Sequence, residues 1–90
     1  MFEELKLDKM IIENLAKRID IVVEFPTEIW IVEVKDKLRP SGLGELYFYQ
    51  YWYKKIYKPE KPVKLVYVAE RDDVMVHEYC DRHNITVYLV

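Results

Sequence analysis

The chain has 90 residues, of which 51% are hydrophobic and 33% charged, and its formal net charge is −2. These values describe one ordered globular domain over residues 1–90, and they exclude a disordered tail and a strongly basic, histone-like nucleic-acid binder. The single cysteine, Cys80, excludes an internal disulfide framework, and no apolar run is long enough to span a membrane. We therefore expect a soluble cytoplasmic protein, and the abundance of Lys, Glu, Ile, Val and Tyr suits a thermophile.

The first predicted elements are a helix and a β-hairpin. Apolar residues at mostly helical spacing predict an amphipathic helix over 2–16. Two runs rich in β-branched residues follow, at 18–25 and 28–35. Because only a short break containing Pro26 separates them, they predict two antiparallel strands.

Helices and strands alternate in the second half of the chain. Residues 43–58 predict a long, tyrosine-rich helix, which the sequence PEKP then ends. A strand is predicted over 63–70, a helix over 71–83 and a last strand over 85–90.

The capping residues of the last helix are also recognisable. Asp72 or Asp73 suits its N-cap, and Asn84 suits the position after its C-cap. The whole order is α-β-β-α-β-α-β, with a hairpin first and helical crossovers later. This order predicts an α/β fold in which helices pack on a mixed sheet.

Two charged residues stand out within the predicted strand "IWIVEVKDK", residues 29–37. Glu33 and Lys35 are two residues apart, so both point to one face of the strand. If the turn is centred between residues 26 and 27, Asp20 lies directly opposite Glu33, with Cβ atoms roughly 4.5–5.5 Å apart. Two carboxylates so close are unfavourable unless a cation or a proton lies between them. With a neighbouring ammonium, they suit phosphodiester hydrolysis assisted by a hard cation such as Mg²⁺.

A family resemblance rests on these residues and on a second motif. Asp20, twelve intervening residues and then Glu33-Val34-Lys35 resemble the PD-(D/E)xK, or restriction-endonuclease-like, nuclease superfamily. The segment "QYWY", which begins at Gln50, resembles the Gln-x-x-Tyr signature of the RecB-like branch of that superfamily. The resemblance covers about residues 3–70. The chain departs from the family in having Ile before Asp20 and in lacking room for a further strand before it.

The resemblance implies a restriction-endonuclease-like fold and a metal-dependent deoxyribonuclease activity. By this similarity, Asp20, Glu33 and the backbone carbonyl of Val34 would hold Mg²⁺ or Mn²⁺. Lys35 would assist the attacking water, and Gln50 would position the site. From its spacing alone, Gln50 could equally be an ordinary buried polar residue of the helix.

Other polar residues are candidates with weaker signals. In parts of the family a glutamate of the first helix is a third acidic ligand, so Glu13 is a candidate, although a solvated helix face also explains it. Four side chains could contact DNA or could belong to an ordinary soluble surface. They are Lys37, Arg39, Tyr53 and Lys54.

The aromatic helix 43–58 carries apolar residues on more than one face. One face is defined by Leu43, Leu46, Tyr53 and Tyr57, and much of the other by Phe48, Trp52 and Ile56. Because a domain this small has little to cover a second face, we expect a homodimer through this helix. Stacking of the aromatic rings on nucleobases is the alternative.

The leading hypothesis is thus a homodimeric, metal-dependent deoxyribonuclease. A catalytically inactive module of the same fold, which binds nucleic acid or scaffolds a larger complex, is the second hypothesis. A pure protein-interaction module would leave the pair of carboxylates unexplained.

Overall fold

The computed structural model describes Leu15 and residues 17–90. The helix predicted over 2–16 therefore lies almost entirely outside the described residues, as does Glu13. Leu15, Lys17 and Arg18 have helical backbone, and the side chain of Leu15 is buried in the core.

Four strands and two helices follow in the order β-β-α-β-α-β. The strands are β1 (Ile21–Glu24), β2 (Ile29–Lys37), β3 (Val63–Arg71) and β4 (Ile85–Leu89). The helices are α1 (Pro40–Tyr57) and α2 (Val74–Arg82). The sheet order is β1-β2-β3-β4, in which the first pair is antiparallel and the other two are parallel. The prediction of an α/β fold with a mixed sheet is therefore confirmed.

The β1–β2 hairpin has the predicted register. Ile21 pairs with Val32, and each following pair continues this alignment down to Glu24 and Ile29. At the turn, the Phe25 N–H donates a hydrogen bond of 2.8 Å to the Glu28 carbonyl. One further step of the ladder places Asp20 opposite Glu33.

The two faces of the sheet have different surroundings. Alternate strand residues such as Ile31, Leu65 and Ile85 form one core with buried residues of both helices, so α1 and α2 cover the same face. On the opposite face Val66 is buried by its neighbours, whereas Val34 is 46% exposed. Glu33 and Lys35 lie on the face that carries the helices.

Tyr67 fixes the beginning of α1. Its buried hydroxyl accepts a hydrogen bond from the Arg39 N–H at 2.9 Å and donates one to the Arg39 carbonyl at 3.0 Å. Gly42 lies against the same ring, where a Cβ would collide with it. The helix ends at Tyr57, and its C-cap residue, Lys58, has left-handed backbone with φ of 47° and precedes Pro59.

Several element bounds differ from the predicted ones, and β1 spans only Ile21–Glu24 of the predicted 18–25. The helix α1 begins at Pro40 rather than at residue 43, because proline is well suited to the first position of a helix. The strands β2 and β3 continue to Lys37 and Arg71, so α2 begins only at Val74.

The predicted caps of α2 are confirmed. Asp73 is the N-cap residue and accepts a hydrogen bond of 3.0 Å from the Val76 N–H. Asn84 follows the C-cap residue and has a positive φ of 58°. Neither α1 nor α2 is long and apolar enough to cross a membrane.

Candidate active site

Three carboxylates and one ammonium meet near the carboxyl-terminal half of β2. We call Asp20, Glu33, Lys35 and Glu45 the Glu33 cluster. Asp20 immediately precedes β1, Glu33 and Lys35 lie on β2, and Glu45 lies on α1. The hairpin register and the placement of α1 over β2 bring these residues together from three parts of the chain.

Glu33 is the buried member of the cluster, with 3% of its surface exposed. Its pKa is raised to about 8 by burial, by a hydrogen bond with Glu45 and by the negative charges of Asp20 and Glu45. The positive charge of Lys35 opposes this rise only in part. A carboxylate in these surroundings is stabilised by an added cation or by a proton.

Lys35 is shared between two carboxylates. Its Nζ lies 3.5 Å from Oε1 of Glu33 and 3.3 Å from Oε2 of Glu45. Burial alone would lower the pKa of Lys35, but the hydrogen bond and charge of Glu45 and the charge of Glu33 raise it overall. Lys35 is therefore a fixed ammonium at neutral pH.

Asp20 and Val34 are joined at the edge of the cluster. The Oδ2 atom of Asp20 accepts a hydrogen bond of 3.1 Å from the Val34 N–H. Because the N–H and C=O of one strand residue point toward the same neighbouring strand, the Val34 carbonyl also points toward Asp20. The structure thus brings together Asp20, Glu33, Val34 and Lys35, as the sequence predicts.

Two residues of the cluster region were not predicted from the sequence. Glu45 is the third carboxylate, and it is the only acidic residue of α1. That isolation within an aromatic helix was the signal that could have identified it. Tyr49, one turn further along, is buried, and its pKa is raised by burial and by the charges of Glu45 and Glu33.

Gln50 lies elsewhere. Its Nε2 donates a long hydrogen bond of 3.4 Å to the Val63 carbonyl, at the start of β3. Its side chain lines an open cavity of about 750 Å³ between α1, α2 and the first residues of β4, together with His77 and Asp81. No described contact joins Gln50 to the Glu33 cluster, so its role there stays a prediction.

The candidate DNA-binding residues are dispersed. Arg39 is paired with Asp36 at 3.1 Å, and the Lys37 N–H also donates to Asp36. Tyr53 packs against Tyr57, with ring centroids 4.7 Å apart. Lys54 is exposed in the last turn of α1.

The donors of the Glu33 cluster fit a hard divalent cation in their chemistry. Mg²⁺ and Mn²⁺ prefer carboxylate and carbonyl oxygens, and Mg²⁺ binds through one or two carboxylates while keeping several waters. The like charges around Glu33 are the electrostatic reason for such an ion. Within the described part of the chain, no three His, Cys, Asp or Glu side chains already converge as a metal site. The Val34 N–H binds Asp20 and the Lys35 ammonium binds Glu45. The carboxylates that would bind a cation are therefore close together, but two of them already have partners.

Comparison of the chain with protein-family models, with curated proteins and with solved structures gives no match.

Proposed function

We propose that the protein is a metal-dependent nuclease that hydrolyses DNA phosphodiester bonds, on a restriction-endonuclease-like fold. The observation that carries this proposal is the buried Glu33 carboxyl, which lies between two further carboxylates and beside an ammonium. Such strongly perturbed groups cluster at catalytic sites, because their electrostatic strain is relieved by the substrate or cofactor.

Asp20, Glu33 and the Val34 carbonyl would hold Mg²⁺ or Mn²⁺. When bound, such an ion polarises a phosphoryl oxygen and makes a bound water more acidic. Lys35 contributes a fixed positive charge beside these oxygens, which stabilises the negative charge that develops on the phosphoryl group. Its raised pKa argues for this electrostatic role and against a role as general base.

The alternative is a non-catalytic module of the same fold that binds nucleic acid or scaffolds a larger complex. One observation favours it. Lys35 is already paired with Glu45, and among the described residues the carboxylates do not form a group that could hold a metal ion. A catalytic protein must release at least one of these contacts when it binds its cation.

Cleavage assays separate the two functions. Linear, nicked and branched DNA is incubated with the protein in Mg²⁺ or Mn²⁺ and then in EDTA. We expect cation-dependent cleavage that falls about 100- to 1,000-fold in Asp20→Ala and in Lys35→Ala, because each variant removes a charge from the site. Lys64→Ala is the matched control, since Lys64 is paired with Glu28 on the opposite face of the sheet.

The proposal is wrong if no substrate is cleaved under any of these conditions. It is also wrong if Asp20→Ala and Lys35→Ala cleave as well as Lys64→Ala. Binding of DNA without cleavage would support the non-catalytic module.

A further inference from the structure

A stripe on α1 begins at the Glu33 cluster and runs along the helix. Glu45, Phe48, Trp52 and Lys55 occupy positions i, i+3, i+7 and i+10. This spacing places them on one side of the helix, as in the seam of a coiled coil. Ten residues of helix extend about 15 Å.

The aromatic part of this seam is exposed at Phe48, whereas Trp52 is half-buried and packs partly against the core. Phe48 is 52% exposed and its ring centroid lies 6.5 Å from that of Trp52. The buried residues of α1, which are Gly42, Leu46 and Tyr49, lie on another side of the helix. An exposed phenylalanine next to a half-exposed tryptophan is typical of an interaction surface.

The two charged residues at the ends of the seam, Glu45 and Lys55, have different partners. Glu45 is paired with Lys35 and keeps 36% of its side chain exposed. Lys55 lies 5.2 Å from the centre of the Trp52 ring, and it has no carboxylate partner among the described residues. One end of the seam is therefore an acid that is already paired, and the other is a base that has no carboxylate partner in the described part of the chain.

The seam is complementary to itself in one orientation. When two copies of α1 pack antiparallel about a two-fold axis, Glu45 faces Lys55 of the partner subunit and Phe48 faces Trp52 of the partner subunit. The same contacts repeat on the other side, as an isologous interface requires. A parallel arrangement would instead place like charges opposite one another, which is unfavourable.

We propose that two copies of the chain form a homodimer through this seam, with their α1 helices antiparallel. In the dimer, the partner's Lys55 lies beside Glu45 and adds a second ammonium to the Glu33 cluster. Each site is then built from both subunits. The dimer itself does not depend on the proposed nuclease function, but the role of the partner's Lys55 at the site rests on it.

Charge reversal tests the pairing by sedimentation of the full chain, without DNA or divalent cation. We expect the wild type to be a dimer. Glu45→Lys and Lys55→Glu should each weaken the dimer by about tenfold or more, because each reversal creates two repulsive pairs. The double variant, Glu45→Lys with Lys55→Glu, should restore it. Lys54→Glu is the matched control, since it makes the same charge change on the same helix outside the seam.

Three outcomes would overturn the proposal: a monomeric wild type, a double variant that stays dissociated, or an equal effect of Lys54→Glu and Lys55→Glu. Circular dichroism of each variant confirms that it is folded. If Glu45→Lys does not fold, Phe48→Glu is used instead. It should also be a monomer, because it places a charge in the seam, and it leaves the Glu33 cluster intact. A monomer whose binding of single-stranded oligonucleotides is lost in Phe48→Ala would assign the seam to nucleobases instead.

Discussion

β2 carries two acidic residues, Glu33 and Asp36, that are three positions apart and belong to different charged clusters. The pKa of Glu33 is raised and that of Asp36 is lowered. The Glu33 cluster lies under α1, and its buried carboxyl has a pKa raised to about 8. The second cluster consists of Asp36, Arg39 and Arg71, and we call it the Asp36 cluster. Asp36 is 58% exposed, and each arginine lies 3.1 Å from its Oδ2. Burial raises the pKa of Asp36, but Arg39, Arg71 and the Lys37 N–H together lower it overall.

The difference comes from the pleat of the strand. Glu33 and Asp36 are an odd number of residues apart, so they point to opposite faces of the sheet. Glu33 faces α1, which brings the carboxylate of Glu45, whereas Asp36 is exposed and contacts the guanidinium groups of Arg39 and Arg71. The charge of Asp36 is offset by two arginines, whereas Glu33 is buried beside two other carboxyl groups with a single lysine to offset them. We infer that the Asp36 cluster has a structural role, and we propose a functional role for the Glu33 cluster.

Displacement of α1 is expected to disturb the Glu33 cluster most strongly, because α1 supplies Glu45 to it. In Gly42→Ala, the new methyl group would overlap the buried ring of Tyr67. We expect the free energy of unfolding to fall by about 2–3 kcal/mol, as in other overpacked cores. Urea unfolding followed by circular dichroism measures this change.

Gly44→Ala is the matched control on the same helix, since a Cβ at Gly44 has no atom within 4 Å. There we expect stabilisation by about 0.5–1 kcal/mol, from the better helix propensity of alanine. Equal effects of the two substitutions would contradict the role of Tyr67 as the anchor of α1.

The pH dependence of stability should show the raised pKa of Glu33. The folded protein holds this proton up to about pH 8, whereas an ordinary glutamate releases it near its usual pKa of 4.5. The stability that the proton provides is therefore complete below about pH 4.5 and is lost as the pH rises to 8. Without divalent cation, we expect a loss on the order of 1–2 kcal/mol over this range, which thermal melts at successive pH values measure.

Glu33→Gln should flatten this part of the profile, because glutamine does not titrate. Added Mg²⁺ should stabilise the wild type increasingly as the pH rises to 8 and above, where Glu33 becomes ionised, and should have little effect on the variant. A wild-type profile as flat as that of Glu33→Gln would contradict the electrostatic description of the cluster.

The sequence was sufficient to predict the fold class and three of the four residues of the Glu33 cluster. A hairpin with a two-residue turn has its register set by the turn, so the pairing of Asp20 with Glu33 could be predicted from residue numbers. The position of Lys35 follows from the alternation of β2. These are local relations, which depend only on neighbouring strands.

The rest of the cluster depends on how α1 is rotated and placed on the sheet. The contact of Gly42 with Tyr67 sets this placement, and it joins residues from distant parts of the chain. Helical periodicity showed that α1 was apolar nearly all round, so it gave no decisive core face. For this reason Glu45 was not predicted, and Gln50, predicted at the site, lies beside the Val63 carbonyl.

Asp36→Asn should change the free energy of unfolding least of these substitutions, because Asp36 is exposed and Glu33 is buried. Because the pKa of Asp36 is lowered on folding, its contribution to stability is present above the ordinary pKa of 3.8 and disappears in more acidic solution. We expect a small destabilisation at neutral pH that vanishes in acid, since exposed ion pairs are weak and are screened by salt. Melts at pH 7 in low and high salt measure it.

Between pH 5 and 8, the slope of stability against pH in Asp36→Asn should stay that of the wild type, because of these two carboxyl groups only Glu33 titrates abnormally in that range. A changed slope would mean that the two clusters are coupled through β2 and would overturn the assignment of separate roles.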